Sequence, residues 1–168
     1  MAPRMADFMA HAQRAMAQLN PGAFLTVEAP SGARNTMTIG WAQLGIVWGK
    51  KIFTVAVRNT RHTYGLMEAA EDFTVTFPWA DMSAALGFCG SRSGADVDKF
   101  KECGLECVPA IEVGSPIIKA HGLHYECRIV YKKALDPAFL SPQLDAIYPK
   151  KDYHTLYYGD IVACYETD

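Results

Sequence analysis

The N-terminal segment is amphipathic with a helical period. Apolar side chains recur from Met5 to Leu19 at intervals of three and four residues, and an Asn-Pro-Gly run at residues 20–22 follows them. This spacing is typical of a surface helix with one buried face, and Pro and Gly commonly end such helices. We therefore expect an N-terminal helical extension over about residues 3–19.

Beyond residue 22 the apolar positions follow an extended pattern. Short runs of β-branched and aromatic residues alternate with Pro, Gly, Asn and Ser, the residues typical of turns. A glycine interrupts the last run and predicts a β-bulge at Gly159. The predicted strands are Phe24–Glu28, Asn35–Trp41, Ile52–Arg58, Phe73–Phe77, Tyr125–Tyr131 and His154–Tyr165.

Helical spacing is confined to short segments between these strands. Strands outnumber helices and do not alternate with them regularly, so the predicted class is α+β, mostly antiparallel β, with peripheral helices around a barrel or sandwich. The helical predictions are Thr63–Ala70, Asp81–Phe88 and Asp96–Glu102, with a loop containing a helical turn at Asp136–Tyr148.

Composition narrows the classes of function. The chain has 168 residues, half of them hydrophobic, and this length fits one domain over residues 1–168 with a sizeable core. The net charge of −2 gives no basic surface for a nucleic acid. No apolar run is long enough to cross a membrane, and the charges at Arg4, Asp7 and Arg14 do not fit a secretory signal. We expect a cytoplasmic protein whose partner is a small molecule.

The familiar nucleotide and metal motifs do not fit. Gly45–Lys51 is one residue short of a phosphate-binding loop and lacks its Ser or Thr, and no dinucleotide-binding glycine motif follows a predicted strand. His121, His124 and Cys127 would lie on both faces of a strand, so no metal site is predicted. Five cysteines without tight spacing predict reduced thiols. A Cys/His hydrolase stays open, because its partners meet only in space.

Anion-binding residue types cluster in three successive connections. Guanidinium and hydroxyl groups follow one strand, further hydroxyls stand beside the flexible Gly94, and a lysine lies in the next predicted helix. Together these donors are typical of a site for a terminal phosphate. Loop charges exposed to solvent are the alternative interpretation. The residues concerned are Arg58, Thr60, Arg61, Thr63, Ser91, Ser93 and Lys99.

The predicted strand Asn35–Trp41 has a second candidate role. Thr36, Thr38 and Gly40 alternate with apolar residues, so one face offers hydroxyl groups and close backbone approach to a planar ligand. An ordinary half-buried strand explains the same pattern. The residues alone leave both interpretations open.

Five runs of sequence match a known family in order and spacing. They are N-T-M-T-I-G-W at Asn35–Trp41, V-R-N-T-R-H-T at Val57–Thr63, F-T-V-T-F-P at Phe73–Pro78, C-G-S-R-S-G-A-D-V-D-K-F at Cys89–Phe100 and H-T-L-Y-Y-G-D-I-V at His154–Val162. In these runs the chain resembles the flavin reductase-like FMN-binding split-barrel family, particularly its flavoredoxin-type branch. The resemblance covers about residues 24–165 and leaves the N-terminal extension outside.

This resemblance implies a fold and a flavin site. The fold would be a six-stranded split β-barrel of Greek-key type, which forms a homodimer and holds FMN near the dimer interface. Trp41 would lie beside the isoalloxazine ring or wall its pocket, whereas a core tryptophan is the alternative. The residues that would line the flavin are Asn35, Thr36, Met37 and Thr38.

The resemblance also assigns the phosphate end of the flavin. Arg58, Thr60, Arg61 and Thr63 would bind the ribityl phosphate. Lys99 would add a point charge, and Cys89 is expected to pack rather than to react. The residues that would close this end of the site are Cys89, Ser91, Ser93 and Lys99.

The implied activity is an oxidoreductase reaction in which hydride passes from NAD(P)H to flavin. His154 would lie on the nicotinamide side, although Asp152 and Tyr153 before it match the Gly-Asp-His sequence of related reductases only in part. A surface or interface histidine is the alternative. Two other functions remain: a flavoredoxin-like carrier that passes electrons from FMN to a protein partner, and a non-flavin ligand-binding or structural module.

Overall fold

Antiparallel strands are the main regular elements of the structure, a computed structural model that describes residues 3–168. The strands are β1 (Arg4–Met5), β2 (Ala23–Glu28), β3 (Arg34–Ile39), β4 (Ala42–Val47), β5 (Lys50–Arg58), β6 (Asp72–Pro78), β7 (Cys107–Val108), β8 (Ile117–Ile118), β9 (Gly122–Ala134) and β10 (His154–Thr167). The helices are α1 (Ala12–Gln18), α2 (His62–Ala69), α3 (Ser83–Ser91), α4 (Lys99–Glu102) and α5 (Pro142–Asp145), with a 3-10 turn at Pro137–Phe139. The predicted class, mostly antiparallel with peripheral helices, is confirmed.

The main sheet has the strand order β3-β2-β6-β9-β10-β5-β4, and β1 adds to β10. β7 and β8 form a separate antiparallel pair. The edge strands β3 and β4 do not pair with each other, so the sheet is not closed. Gly40 and Trp41 are the residues between these two edges, and they therefore lie where the sheet is open.

Large aromatic side chains fill the centre of the core. The ring of Phe53 lies 5.0 Å from that of Tyr125, and the rings of Phe77 and Tyr125 are 6.1 Å apart, both measured between centroids. All three side chains are fully buried. They come from β5, β6 and β9, so packing of these rings ties both halves of the sheet together.

The N-terminal helix is shorter than the sequence pattern predicts. Helix α1 covers Ala12–Gln18 only, and the prediction of a helix over about residues 3–19 is wrong for the segment before it. Arg4 and Met5 instead pair with the end of β10, where Arg4 also forms an ion pair with Glu166. The end of β10 has a free hydrogen-bonding edge, and pairing there satisfies the backbone groups of Arg4 and Met5. The apolar periodicity does not show that strand pairing competes with helix formation in this segment.

The segment that resembles a phosphate-binding loop is a hairpin. β4 and β5 pair from Ala42 with Val55 to Val47 with Lys50. Trp48 and Gly49 form the turn, with φ angles of 54° and 70°. Left-handed backbone at both turn residues suits a two-residue hairpin, and glycine adopts it freely. β4 is a strand that the sequence analysis did not predict.

The predicted bulge in the last strand is confirmed. The register between β10 and β9 shifts between Tyr158 and Gly159, and again between Ile161 and Ala163. A Cβ atom on Gly159 would lie 2.6 Å from the Cβ of Cys127 and 2.6 Å from the Phe73 ring. Glycine is therefore required at this point by close packing against β6 and β9.

Two short elements have boundaries that differ from the predicted ones. Helix α4 begins at Lys99 rather than at Asp96, because the Asp98 carboxylate accepts hydrogen bonds from the backbone N–H groups of Phe100 and Lys101 and caps the helix there. The predicted strand ending at Trp41 stops at Ile39. None of the helices among residues 3–168 has the length and apolarity needed to span a membrane.

Buried His124 should make folding sensitive to acid. Its ring nitrogens lie 3.0 Å from Thr76 Oγ1 and 2.8 Å from Thr167 Oγ1, and burial lowers the pKa of His124 to about 4. Below its ordinary pKa of 6.5, the unfolded chain takes up a proton that the folded protein excludes. The contribution of neutral His124 to the free energy of unfolding is therefore fully present above pH 6.5. About 3 kcal/mol of it is lost as the pH falls towards 4.

Urea unfolding between pH 7.5 and pH 4.5 measures this dependence. The variant His124→Gln keeps a donor and an acceptor but cannot titrate, so the slope of stability against pH should become shallower. Equal slopes for the variant and the wild type would contradict the assignment to His124.

Candidate functional site

A small cavity lies where β3, α2, α3 and α4 meet. Its volume is about 90 Å³, and it is lined by three basic residues and by several hydroxyl and amide groups. No Asp or Glu lines it. We call it the cationic cavity; its lining residues are Asn35, Met37, Thr38, Thr60, Arg61, His62, Thr63, Cys89, Gly90, Arg92, Ser93, Gly94 and Lys99.

Lys99 is the buried charge of the cationic cavity. Its side chain is only 3% exposed, and Nζ donates a hydrogen bond of 2.8 Å to the carbonyl oxygen of Cys89. Burial, together with the nearby Arg61 guanidinium, lowers the pKa of Lys99. Within residues 3–168, Lys99, Arg61 and Arg92 form no ion pair with a carboxylate. A buried ammonium without an acidic partner is costly unless an anion binds beside it.

The walls of the cationic cavity are held by hydrogen bonds. Asn35 Nδ2 donates to Thr63 Oγ1 over 2.9 Å, and Thr38 Oγ1 donates to the carbonyl of Leu86 over 2.6 Å. A Cβ atom on Gly94 would lie 2.6 Å from Asn35 Cγ. Glycine therefore lets the connection between α3 and α4 close over the amide of Asn35.

A second recess adjoins the cationic cavity on the open side of the sheet. We call it the open cleft; its volume is about 200 Å³. It shares Met37, Thr38 and Arg61 with the cationic cavity, so the two recesses are neighbours along β3. The residues lining the open cleft are Met37, Thr38, Ile39, Gly40, Trp41, Ala56, Arg58, Arg61 and His154.

Trp41 and His154 form an aromatic wall of the open cleft. Their ring centroids are 4.8 Å apart with an interplanar angle of 38°. Trp41 is 49% exposed, so the alternative of a core tryptophan is wrong. His154 is buried, which argues against a surface histidine, and its Nδ1 lies 2.8 Å from the hydroxyl oxygen of Tyr148.

His154 is neutral at physiological pH. Burial is the main cause and the adjacent Arg58 guanidinium the second, and together they lower the pKa of His154 to about 4. The imidazole therefore offers one N–H donor and one acceptor rather than a positive charge. Its chemistry in the cleft is hydrogen bonding.

Arg58 occupies a different place from the one predicted. It lines the open cleft and binds Asp152 through two hydrogen bonds of 2.9 Å, which lower the pKa of that carboxyl group. Thr60 Oγ1 also reaches Asp152, over 3.4 Å. Arg58 is thus neutralised beside the cleft, and Arg61, Arg92 and Lys99 carry the positive charge of the cationic cavity.

Most of the predicted cofactor-binding residues lie around the cationic cavity or the open cleft, and Thr36 and Ser91 line neither. Thr36 points into the core, where its hydroxyl donates to the carbonyl of Leu25 and accepts from Thr26. Ser91 ends α3 and bonds back to the carbonyl of Phe88. Three residues predicted to line the flavin, Asn35, Met37 and Thr38, lie around the cationic cavity. The residues predicted for the phosphate end that lie there are Thr60, Arg61, Thr63, Cys89, Ser93 and Lys99.

Cys89 lines the cavity as a packed thiol. Its side chain is buried, and burial raises the pKa of the thiol to about 12. A thiol with that pKa is protonated at neutral pH and is a poor nucleophile. The structure therefore favours the packing role over a reactive one.

Several site residues were missed by the sequence analysis. His62, Gly90 and Arg92 line the cationic cavity. Arg92 lies between two serines that the analysis singled out, so its position in the same connection was a usable signal. Tyr148 and Asp152 support the open cleft from a segment that reads only as a loop, and no local pattern marks them.

The arrangement defines a class of protein. It is a split-barrel protein whose open sheet edge carries a small cationic site beside an aromatic cleft. Residues 17–168 match the flavin reductase like domain, and the chain therefore belongs to the flavin reductase-like family. The family resemblance in the sequence is thereby confirmed.

Individual relatives are distant. A flavoredoxin from Methanosarcina acetivorans is 25% identical, with a TM-score of 0.66 over 88% of this chain and 68% of its own. An FMN-binding protein from Thermus thermophilus, solved with bound 1-cyclohex-2-enone, is 20% identical, with a TM-score of 0.67 over 99% of this chain and 72% of its own. An uncharacterised protein from Pyrococcus abyssi is 25% identical over 142 residues, which are 83% of this chain and 70% of that protein.

Proposed function

We propose that the protein binds FMN and acts as an NAD(P)H-dependent flavin oxidoreductase. The observation that carries the proposal is the buried Lys99 ammonium, which has no acidic partner and lies in a cavity without carboxylates. Such a site favours a compact dianion, and a phosphate monoester is the compact dianion of FMN. The neighbouring open cleft and its aromatic wall suit the flat ring system of the same molecule.

The residues present fit this cofactor. Arg61, Arg92 and Lys99 would bind the phosphate, and the glycine at position 94 keeps the cavity from being filled by a side chain. Trp41 and the adjoining backbone at Gly40 would face the ring system in the open cleft. FMN, when bound, would supply the hydride-accepting chemistry of the reaction.

The remaining chemistry belongs to the protein. Arg61 lies between the two recesses and is the unpaired cation nearest to the open cleft, so it favours negative charge there. Trp41 and His154 exclude water from one side of the cleft. The cleft is open to solvent, and a pyridine nucleotide would approach from that side without a dinucleotide-binding domain of its own.

Arg61→Ala tests the phosphate assignment. Loss of a charge-assisted hydrogen bond to phosphate should weaken FMN binding by about 1 to 3 kcal/mol, which is about 5- to 150-fold in Kd. Riboflavin, which lacks the phosphate, should lose less affinity than FMN does in this variant, because Arg61 also lines the open cleft. Flavin fluorescence titration with both ligands measures the difference.

A matched control separates this effect from a general change of charge. Arg128 is exposed on β9 and bonds only to the carbonyl of Glu112, so Arg128→Ala should leave FMN affinity unchanged. If Arg61→Ala also leaves FMN affinity unchanged, the phosphate does not bind in the cationic cavity.

A flavoredoxin-like carrier is the second candidate, supported by the similarity to the flavoredoxin of Methanosarcina acetivorans. In that case FMN would stay bound and pass electrons to a protein partner. Anaerobic mixing of the FMN-loaded protein with NADH and with NADPH separates the two. Rapid bleaching of the flavin spectrum supports the reductase, and slow bleaching with tightly bound FMN supports the carrier. A protein that does not bind FMN at all would be a non-flavin module.

The predicted homodimer belongs to the same proposal. Support comes from apolar side chains exposed together on the sheet, where Trp48 packs edge-on against Tyr131 and Tyr158. Exposed clusters of this kind often mark contact surfaces. The homodimer and the cytoplasmic location stay predictions.

A further inference from the structure

Tyr148 is a buried tyrosine that contacts two residues of the open cleft, His154 through its hydroxyl group and Arg58 through its ring. Its ring packs against Tyr153 at 4.9 Å and lies under the Arg58 guanidinium at 5.0 Å, both measured to ring centroids. Its hydroxyl oxygen is 2.8 Å from Nδ1 of His154. Tyr148 does not line the open cleft itself, and its hydroxyl group reaches that site through the histidine.

Hydrogen bonds fix the segment that carries Tyr148 on both sides of this residue, at Asp145 and at Asp152. Asp145 accepts hydrogen bonds of 2.6 Å from the Tyr153 hydroxyl and from Lys151 Nζ. Asp152 binds Arg58 of β5 through two bonds. The Asp145 bonds close the segment on itself around Tyr148, and the Asp152 pair ties it to β5. These bonds hold the Tyr148 hydroxyl group at one position relative to His154.

The hydrogen bond between Tyr148 and His154 has one favourable direction. Burial raises the pKa of Tyr148 and lowers that of His154, so the phenol is protonated and the imidazole is neutral. If Nδ1–H donated to the phenol oxygen, the phenol proton would need another acceptor, and the structure of residues 3–168 provides none. An unsatisfied donor in a buried position is costly. The phenol therefore donates to Nδ1, and the ring proton is on Nε2.

The Nε2–H group is then free for a ligand. No hydrogen bond to Nε2 is formed within the described residues, whereas no fully buried side-chain nitrogen or oxygen there is left without a partner. Nε2 is therefore not fully buried, and His154 lines the open cleft. Trp41 covers the imidazole and restricts its rotation.

We propose that Tyr148 is a positioning residue that locks His154 in the Nε2–H tautomer, so that the cleft presents a neutral, fixed hydrogen-bond donor to a carbonyl-type oxygen of the pyridine nucleotide. The role of this donor in turnover rests on the proposed function. The tautomer itself is a property of the protein without flavin. The charged and titratable groups around His154 are Arg58, Arg61, Asp152 and Tyr148, and the first three are unchanged in the test below.

The tautomer can be read directly from long-range proton–nitrogen NMR spectra of the histidine side chains in flavin-free protein. The signals of His154 are assigned by their loss in His154→Asn. At pH 7 we expect an unprotonated Nδ1 and a protonated Nε2 in the wild type. In Tyr148→Phe, which removes only the hydroxyl, we expect the Nδ1–H form to appear. A wild type with the proton on Nδ1, or a variant with the wild-type tautomer, would overturn the proposal.

The control is Tyr153→Phe. This hydroxyl lies in the same segment but bonds to Asp145, so its loss loosens the segment without touching His154. The wild-type tautomer should persist in this variant, and a shift equal to that of Tyr148→Phe would assign the effect to general loosening and overturn the proposal.

Turnover provides the second readout. With the FMN-loaded protein, Tyr148→Phe should lower kcat/KM for the pyridine nucleotide about fivefold, the worth of about one hydrogen bond, while FMN affinity stays unchanged. Unchanged kcat/KM would show that His154 does not act as a hydrogen-bond donor in turnover. Absence of FMN binding in the wild type would overturn the proposed function and leave the NMR result intact.

Discussion

Replacing Lys99 with methionine should weaken FMN binding and at the same time stabilise the flavin-free protein. The ammonium group is buried without a carboxylate, so its burial costs stability until an anion binds. Lys99→Met keeps an unbranched side chain that is one atom shorter and removes the charge. We expect a loss of about 1 to 3 kcal/mol in FMN affinity and a gain of about 1 kcal/mol in the free energy of unfolding without flavin.

Flavin titration and thermal unfolding of the same preparations measure the two effects. Lys101→Met is the matched control, since Lys101 lies in the same helix but is exposed and does not line the cationic cavity. It should change neither quantity by more than about 0.5 kcal/mol. A fall in both affinity and stability for Lys99→Met would mean that the lysine is satisfied within the protein and is not held ready for an anion.

Gly159→Ala should be strongly destabilising although it adds one methyl group. The new Cβ would lie 2.6 Å from both Cys127 and the Phe73 ring, and both are buried in the core. Neither neighbour is the free end of a flexible chain, so β10 would have to move away from β9. We expect a loss of about 3 kcal/mol, or about 10 °C in Tm for a chain of this size.

Gly45→Ala provides the comparison in another strand of the sheet. No atom lies within 4 Å of a Cβ at Gly45, and the backbone there has no left-handed φ. Alanine should be neutral or slightly stabilising, because it restricts the unfolded chain. Similar losses for both variants, measured by thermal unfolding, would show that the effect at Gly159 is not steric.

The fold was predictable where one local pattern dominates. Strands β5, β6 and β10 carry regular apolar runs with clear turns, and the predictions for them lie within about two residues of the observed ends. The N-terminal helix failed because its first residues, Arg4 and Met5, find partners on β10 that lie more than 150 positions away in sequence. Periodicity contains no information about such competition.

The site was predictable in its chemistry and less so in its arrangement. Arg61 and Lys99 belong to motifs that the family resemblance covers, and the structure brings them to one cavity. Arg58 stands three positions before Arg61 and was given the same role, yet it turns to Asp152. Arg58 is the last residue of β5 and Arg61 lies in the connection that follows, so their side chains point in different directions. Only the folded chain shows which partner each side chain meets.

By itself the sequence determined the class of fold, the family and the group of residues predicted to bind a phosphate, because these depend on residue types in local order. Tertiary structure alone decided that Lys99 is buried without an acid, that Trp41 and His154 form one wall, and that the Tyr148 hydroxyl lies within hydrogen-bond distance of His154. Burial, charge balance and hydrogen-bond direction depend on groups brought together from distant parts of the chain. They are therefore properties of the packed molecule and not of any segment.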